Sequence, residues 1–161
     1  MRIGYLEKQI GMENHKIIEV LNDLIEINND RAEGFEKAIR DINAENIDLK
    51  AAFEKFASQS RSNITELAGL VGSKGEVPED GNTVLGTLHR AWIDIKATFG
   101  GSDLHSILEE CERGEDAIKK AYKDALQENE LGEDVREVLL KQQGGIQASH
   151  DAVKALRDLS K

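Results

Sequence analysis

Residues 72–101 read GSKGEVPEDGNTVLGTLHRAWIDIKATFGG, and they decide the fold. The run from Gly72 to Asn82 is small and charged and holds the only proline of the chain, Pro78, so it reads as a linker. Asn82 or Thr83 then caps a short amphipathic helix with the stripe Val84, Leu85, Leu88, Trp92, Ile95 and Phe99. Gly100-Gly101 ends it. A helix over 83–99 spans about 25 Å, and a structureless connection of that length would be costly. Two long helical patterns precede the stretch and two follow it. That order predicts an all-α four-helix bundle whose long crossover contains an additional short helix. The competing layout is one very long third helix split at Gly100-Gly101.

Before the linker, Ile17, Leu21, Leu24, Asn28, Arg31, Phe35, Ile39 and Ile42 recur at steps of three and four from Glu13 onward. They mark one face of a helix of about thirty residues, broadened by Ile18, Ile25 and Ala32. A second helix is predicted from about Ala44 to Val71, with Ala52, Phe53, Phe56, Ser60, Asn63, Leu67 and Leu70 facing in and Gly72 stopping it. Beyond the crossover, Ser102 caps a third long helix. Its stripe is Leu104, Ile107, Leu108, Cys111, Glu115, Ile118, Tyr122 and Leu126, ending near Asn129. The fourth begins after Gly132 and carries Val135, Leu139, Gln142, Ile146, Ser149 or His150, Val153 and Leu156. Gly4 and Gly11 interrupt the opening residues, so 1–11 are a loose extension ahead of one helical domain over 12–161, or translation starts at Met12.

Composition agrees with helix throughout: one proline, few aromatics, and many Glu, Lys, Ala and Leu. At 161 residues the chain is long enough for one domain that buries roughly 70% of its unfolded surface. The 31 acidic residues outnumber the 21 basic ones, for a net charge of -10. Such a surface repels phosphate backbones and anionic lipid, so neither nucleic acid nor membrane is an expected partner. A lone cysteine, Cys111, rules out an internal disulfide and fits a reducing cytoplasm. No apolar run approaches the ~20 residues a membrane span needs.

Polar residues sit on the apolar stripes at mid-helix: Asn28 and Arg31, Ser60 and Asn63, Glu115, Gln142 and His150. A bundle is normally most apolar there. Several local strings accompany this pattern: Asn29-Asp30 before Gly34-Phe35, Glu66-Leu67, and His89-Arg90-Ala91-Trp92 with Asp94 and Lys96. Further on come Glu109 to Asp116, leading to Tyr122, and Gln147 ahead of His150. By these strings the chain resembles a bacterial family of four-helix-bundle proteins with no assigned activity, which belongs with the ferritin-like and rubrerythrin-like folds. The resemblance covers nearly everything after Met12 and implies a ferritin-like four-helix bundle.

A ferritin-like di-iron site needs a carboxylate from each of two helices and Glu-x-x-His from each of the other two. Gly69 stands three residues after Glu66 where such a motif needs histidine, and Gln147 precedes His150 where it needs glutamate. Asn28 takes the inward place on the first helix, Glu33 lies off the stripe, and only Glu115 points squarely inward. That is a poor di-iron site. The favoured reading is a buried ion pair between Arg31 and Glu115, with Asn28, Ser60 and Asn63 completing its hydrogen bonds. The same groups, Asn28, Arg31, Asn63, Glu115 and His150, are also the candidates for a small-ligand or single-metal pocket; the sequence leaves metal and cofactor unknown.

His89 and Trp92 share a face, and Trp92 is expected to pack the crossover onto the bundle while His89 either hydrogen-bonds beside it or joins Glu112 or Glu115 as a ligand. His15 and His105 read as surface residues near helix starts. Cys111 reads as a buried, inert thiol. Gly114 and Gly34 lie within good helices and call for a close helix approach or room for a bulky partner such as Arg31. Hydrolase, kinase and dinucleotide motifs are absent.

The sequence therefore favours a soluble bundle with a non-enzymatic structural or interaction role. The alternatives are a ferritin-like metal-dependent oxidoreductase, motivated by Glu115, Gln147 and His150, and a metal- or small-ligand-binding bundle. Stripes as wide as Ile17-Ile18 with Leu24-Ile25 suggest a partner helix, hence a homodimer.

Overall fold

A computed structural model describes residues 2–42, 44–78, 92 and 103–160, with side chains described from Asn14 onward. Among the described residues the chain forms four helices and no strand: α1 (Arg2–Asp41), α2 (Ile47–Ser73), α3 (Leu104–Leu126) and α4 (Glu133–Leu159). The stretch 2–11, expected as a loose extension, is the first part of α1. Gly4 and Gly11 each cost about 1 kcal/mol relative to Ala, which is not enough to break a helix this long.

Cross-helix hydrogen bonds fix the directions. Arg31 meets Phe56 and Ser60, whereas Asn28, one turn earlier, meets Ser60 and Asn63, so α2 runs antiparallel to α1. Arg31 meets Glu115 and Asn28 meets Tyr122, so α3 is also antiparallel to α1. Ser149 opposite Glu115 and Gln142 opposite Tyr122 set α4 antiparallel to α3. It follows that α2 and α3 lie on a diagonal and point the same way. The chain between Ser73 and Leu104 must therefore join opposite ends of the bundle, a distance of ~35 Å along the 23 residues of α3. The crossover expected over residues 72–101 lies for the most part outside the described residues. The short helix expected over 83–99 lies outside the described residues except at Trp92, which is helical and fully buried. His89 lies outside them as well.

Local chemistry explains the helix ends. α2 runs one residue past Gly72 and closes in a Schellman arrangement, with Glu76 N donating to the Val71 carbonyl and Gly75 N to that of Gly72. Gly75, at φ 81, takes the left-handed position. α3 is capped by Asp103, not by Ser102: its carboxylate accepts from Ser106 N at 2.8 Å. Hydrogen bonding from Ser106, from its backbone first and then its side chain, holds the Asp103 carboxyl below its usual range.

The apolar core follows the predicted stripes, from Ile17, Leu21 and Leu24 through Phe35, Phe53, Leu67, Ile107 and Ile118 to Leu139, Ile146 and Val153. Ile17, Leu24 and Ile25 are buried and Ile18 packs against this core, so the width that suggested a partner helix is used within the chain. No helix among the described residues is long and apolar enough to cross a membrane.

Trp92 explains both mid-helix glycines. A Cβ on Gly34 would stand 2.5 Å from Trp92 Cε3, and one on Gly114 would stand 2.5 Å from Trp92 Cε2. The bulky partner that needs this room is thus the crossover tryptophan and not Arg31. Phe35 stacks obliquely on the indole with centroids 5.2 Å apart and also contacts Phe53 and Phe56, which builds one aromatic cluster at mid-bundle.

Candidate functional site

The polar layer lies directly beside that cluster, with the Arg31 guanidinium over the Phe35 ring at 5.2 Å. Arg31 and Glu115 are both fully buried and pair through two parallel bonds, Nε to Oε1 at 2.5 Å and Nη2 to Oε2 at 3.0 Å. Arg31 Nη1 donates to the Phe56 carbonyl at 3.2 Å and to Ser60 Oγ at 2.7 Å. Its remaining Nη2 hydrogen goes to Ser149 Oγ at 2.7 Å. All five guanidinium donors are used.

Asn28 is equally complete. Its Nδ2 donates to the Leu24 carbonyl at 2.8 Å and to Tyr122 Oη at 2.9 Å, while its Oδ1 accepts from Ser60 Oγ and Asn63 Nδ2. Tyr122 Oη donates to Gln142 Oε1 at 2.6 Å, and Gln142 Nε2 reaches the Asn63 carbonyl and Glu66. Lys141 closes the chain at the surface by pairing with Glu66 and holds that carboxyl below its ordinary range. One network thus crosses all four helices. A half-satisfied network would be worse than an apolar core, and this one leaves neither Arg31 nor Asn28 short of a partner.

Burial pushes the Tyr122 phenol well above its ordinary value, against the smaller opposing effects of the Asn28 hydrogen bond and Arg31. The folded state therefore holds this proton more tightly than the unfolded chain. The stabilisation is complete below about pH 10, the ordinary tyrosine range, and is lost as pH rises beyond it. Urea midpoints measured from pH 8 to 11.5 should fall at the alkaline end, and Tyr122→Phe should remove much of that fall while costing about 1–2 kcal/mol at neutral pH. An unchanged alkaline slope in Tyr122→Phe would assign the loss to other groups. Cys111, fully buried one turn from Glu115, has its thiol pushed well above the ordinary range by burial and by the Glu115 and Glu110 charges, so it has no nucleophilic character in the folded state.

The structure brings Asn28, Arg31, Asn63 and Glu115 together and leaves His150 out. His150 sits at the α3–α4 edge, 7% exposed, with Nε2 2.7 Å from Asp116 Oδ1 and Nδ1 3.1 Å from Asp151 Oδ1. That contact holds the Asp151 carboxyl below its usual range. Ser149, one residue earlier, takes the inward place: its Oγ lies 2.7 Å from Glu115 Oε2 and 2.9 Å from the Ile146 carbonyl. Gln147 turns to Asp151. His15 is exposed but lies well inside α1, beside Glu19, because the helix begins at Arg2. His105 is in the first turn of α3 and half-buried, held by Ser160 at 2.8 Å.

The sequence reading missed the Asp116–His150 contact and the link from Tyr122 to Asn28. Tyr122 and Gln142 both stood on inward stripes at matching depth, which was the available signal. Glu26 and Asp30, also buried, were missed because the stripe gave α1 a single inward face, whereas its centre is covered on nearly every side.

Residues 16–128, well over half of the chain, match the model of a family described as a domain of unknown function, DUF2383. None of the curated proteins matches the chain.

Proposed function

The chain belongs to the DUF2383 family, whose description assigns no activity, and we propose from its own geometry that it is a non-enzymatic helical bundle acting through its surface. The observation that carries this is the state of Glu115. Both oxygens of Glu115, the carboxylate paired at the centre of the polar layer, already accept from Arg31, and Ser149 adds to Oε2. A guanidinium occupies the position where a metal ion would have to stand, and it is itself saturated. The parallel α2 and α3 with a length-spanning connection between them support reading the architecture as ferritin-like. On that reading the central layer of this chain has exchanged metal chemistry for a structural network that fixes helix register.

Iron chemistry tests the proposal. With Fe(II) in air, the full-length protein should form Fe(III) no faster than buffer, and Glu115→Gln should behave like the parent. A protein-dependent oxidation that Glu115→Gln abolishes would overturn the reading and put the metal-dependent oxidoreductase in its place.

A further inference from the structure

Outside the central layer, α3 and α4 bring three metal-ligating side chains together at the edge of the bundle. Glu112 and Asp116 stand one turn apart on α3, and His150 faces them from α4. One donor atom from each lies within 4.8 Å of the others. We propose that Glu112, Asp116 and His150 form a binding site for a divalent transition-metal ion of the zinc type. The proposal concerns a different place from the Arg31–Glu115 pair and does not depend on what that pair does.

Three features support it. The first is the donor set, one imidazole nitrogen with two carboxylates, which suits zinc and leaves a fourth position for water. The second is the preparation of His150. Its ring is nine-tenths buried, so its orientation is fixed by packing, and Asp151 accepts at Nδ1. That leaves Nε2 as the coordinating atom, pointing at the α3 carboxylates. A carboxylate behind a ligating histidine is the usual way a protein orients such a ligand. The third is access: Asp116 is exposed and lines a surface cavity of about 400 Å³ between α3 and α4, shared with Asp124 and with Lys119, Lys120 and Lys123, so solvent and ions reach its carboxylate without unfolding of the bundle.

The adjustments required are small. Zinc–ligand bonds of about 2.0–2.2 Å place neighbouring donors roughly 3.3 Å apart. Asp116 and His150, now 2.7 Å apart, must open slightly around the ion. Glu112 must turn in from Arg157, the cation that now pairs with it. Arg157 is shared with Asp158 at 2.9 Å and is therefore not lost as an ion-pair member when Glu112 leaves. Local charge still favours the exchange, because Glu109, Glu112, Asp116, Asp124, Asp151 and Asp158 outnumber Arg157, Lys119, Lys120 and Lys123.

The experiment is calorimetric titration of Zn²⁺ into the chelator-treated full chain, with Co²⁺ absorption as a second readout of inner-sphere binding. One equivalent should bind. Asp116→Asn, His150→Gln and Glu112→Gln should each weaken it at least tenfold, and Asp151→Asn by on the order of tenfold through the orientation of His150. Arg157→Gln should tighten it severalfold by removing the competing cation, a gain that a misfolded variant cannot imitate. Glu115→Gln should leave it unchanged. The proposal is overturned if no equivalent binds at about 1 mM Zn²⁺, or if binding survives Asp116→Asn and His150→Gln intact. If Glu115→Gln alone abolishes binding while its helical circular dichroism matches the parent, the ion sits in the core, and the non-enzymatic reading fails with this one.

Discussion

Replacing Arg31 with methionine should destabilise the fold by about 3–5 kcal/mol, read as a lowered urea midpoint at an unchanged denaturant slope. The cost comes mainly from what is left behind. Glu115 stays fully buried among Leu108, Cys111, Ile118 and Tyr122, with Ser149 as its remaining hydrogen-bond donor. A carboxylate buried without its counter-charge is strongly unfavourable. Changing Arg31 and Glu115 together to apolar residues of similar size should recover much of the loss, because the hydroxyls around them keep other partners. Ser149 retains the Ile146 carbonyl, and Ser60 retains Asn28 Oδ1. The coupling measured by this double-mutant cycle separates a designed pair from two unrelated buried residues. If Arg31→Met leaves the midpoint where it was, the pair contributes nothing to stability and the structural account of the central layer is wrong.

Much of this layer was legible in the sequence, for a definite reason. Helical periodicity says which residues point inward and at what depth along each helix. Arg31 and Glu115 were respectively the basic and acidic residues at mid-depth on inward stripes, so their pairing followed once a bundle was assumed. Periodicity does not say which two faces meet at a bundle's edge. His150 flanked its stripe by one residue, and only the packing of α4 on α3 turns Ser149 inward and His150 toward Asp116. The beginning of α1 was hidden for a different reason. Two glycines resemble a break in a propensity profile, but a forty-residue helix absorbs a penalty of about 1 kcal/mol at each. The mid-helix glycines carried a readable signal of another kind, a demand for space. Which side chain fills that space is long-range information, and neither helix contains it.

That space yields the second large effect. Trp92 is the only tryptophan and is fully buried, with its indole against Gly34 of α1, Gly114 of α3 and Phe35. Trp92→Ala should cost about 3–5 kcal/mol, the range for deleting a large buried aromatic. It should also loosen the crossover from the bundle, which limited proteolysis near residue 92 would detect. Gly114→Ala should be destabilising in the parent by roughly 1–3 kcal/mol, because the indole meets Gly34 as well as Gly114 and cannot yield to a Cβ at 2.5 Å without straining its other contact. In the Trp92→Ala background the sign should reverse. The clash is gone, and alanine regains about 1 kcal/mol of helix propensity over glycine. Circular dichroism must follow both unfolding curves, since the variant has lost the only indole fluorophore. Equal destabilisation by Gly114→Ala in the two backgrounds would mean that the glycine answers to something other than Trp92. A reversal would identify the pair of glycines as a seat for the crossover, which holds α1 and α3 at the separation where Arg31 reaches Glu115.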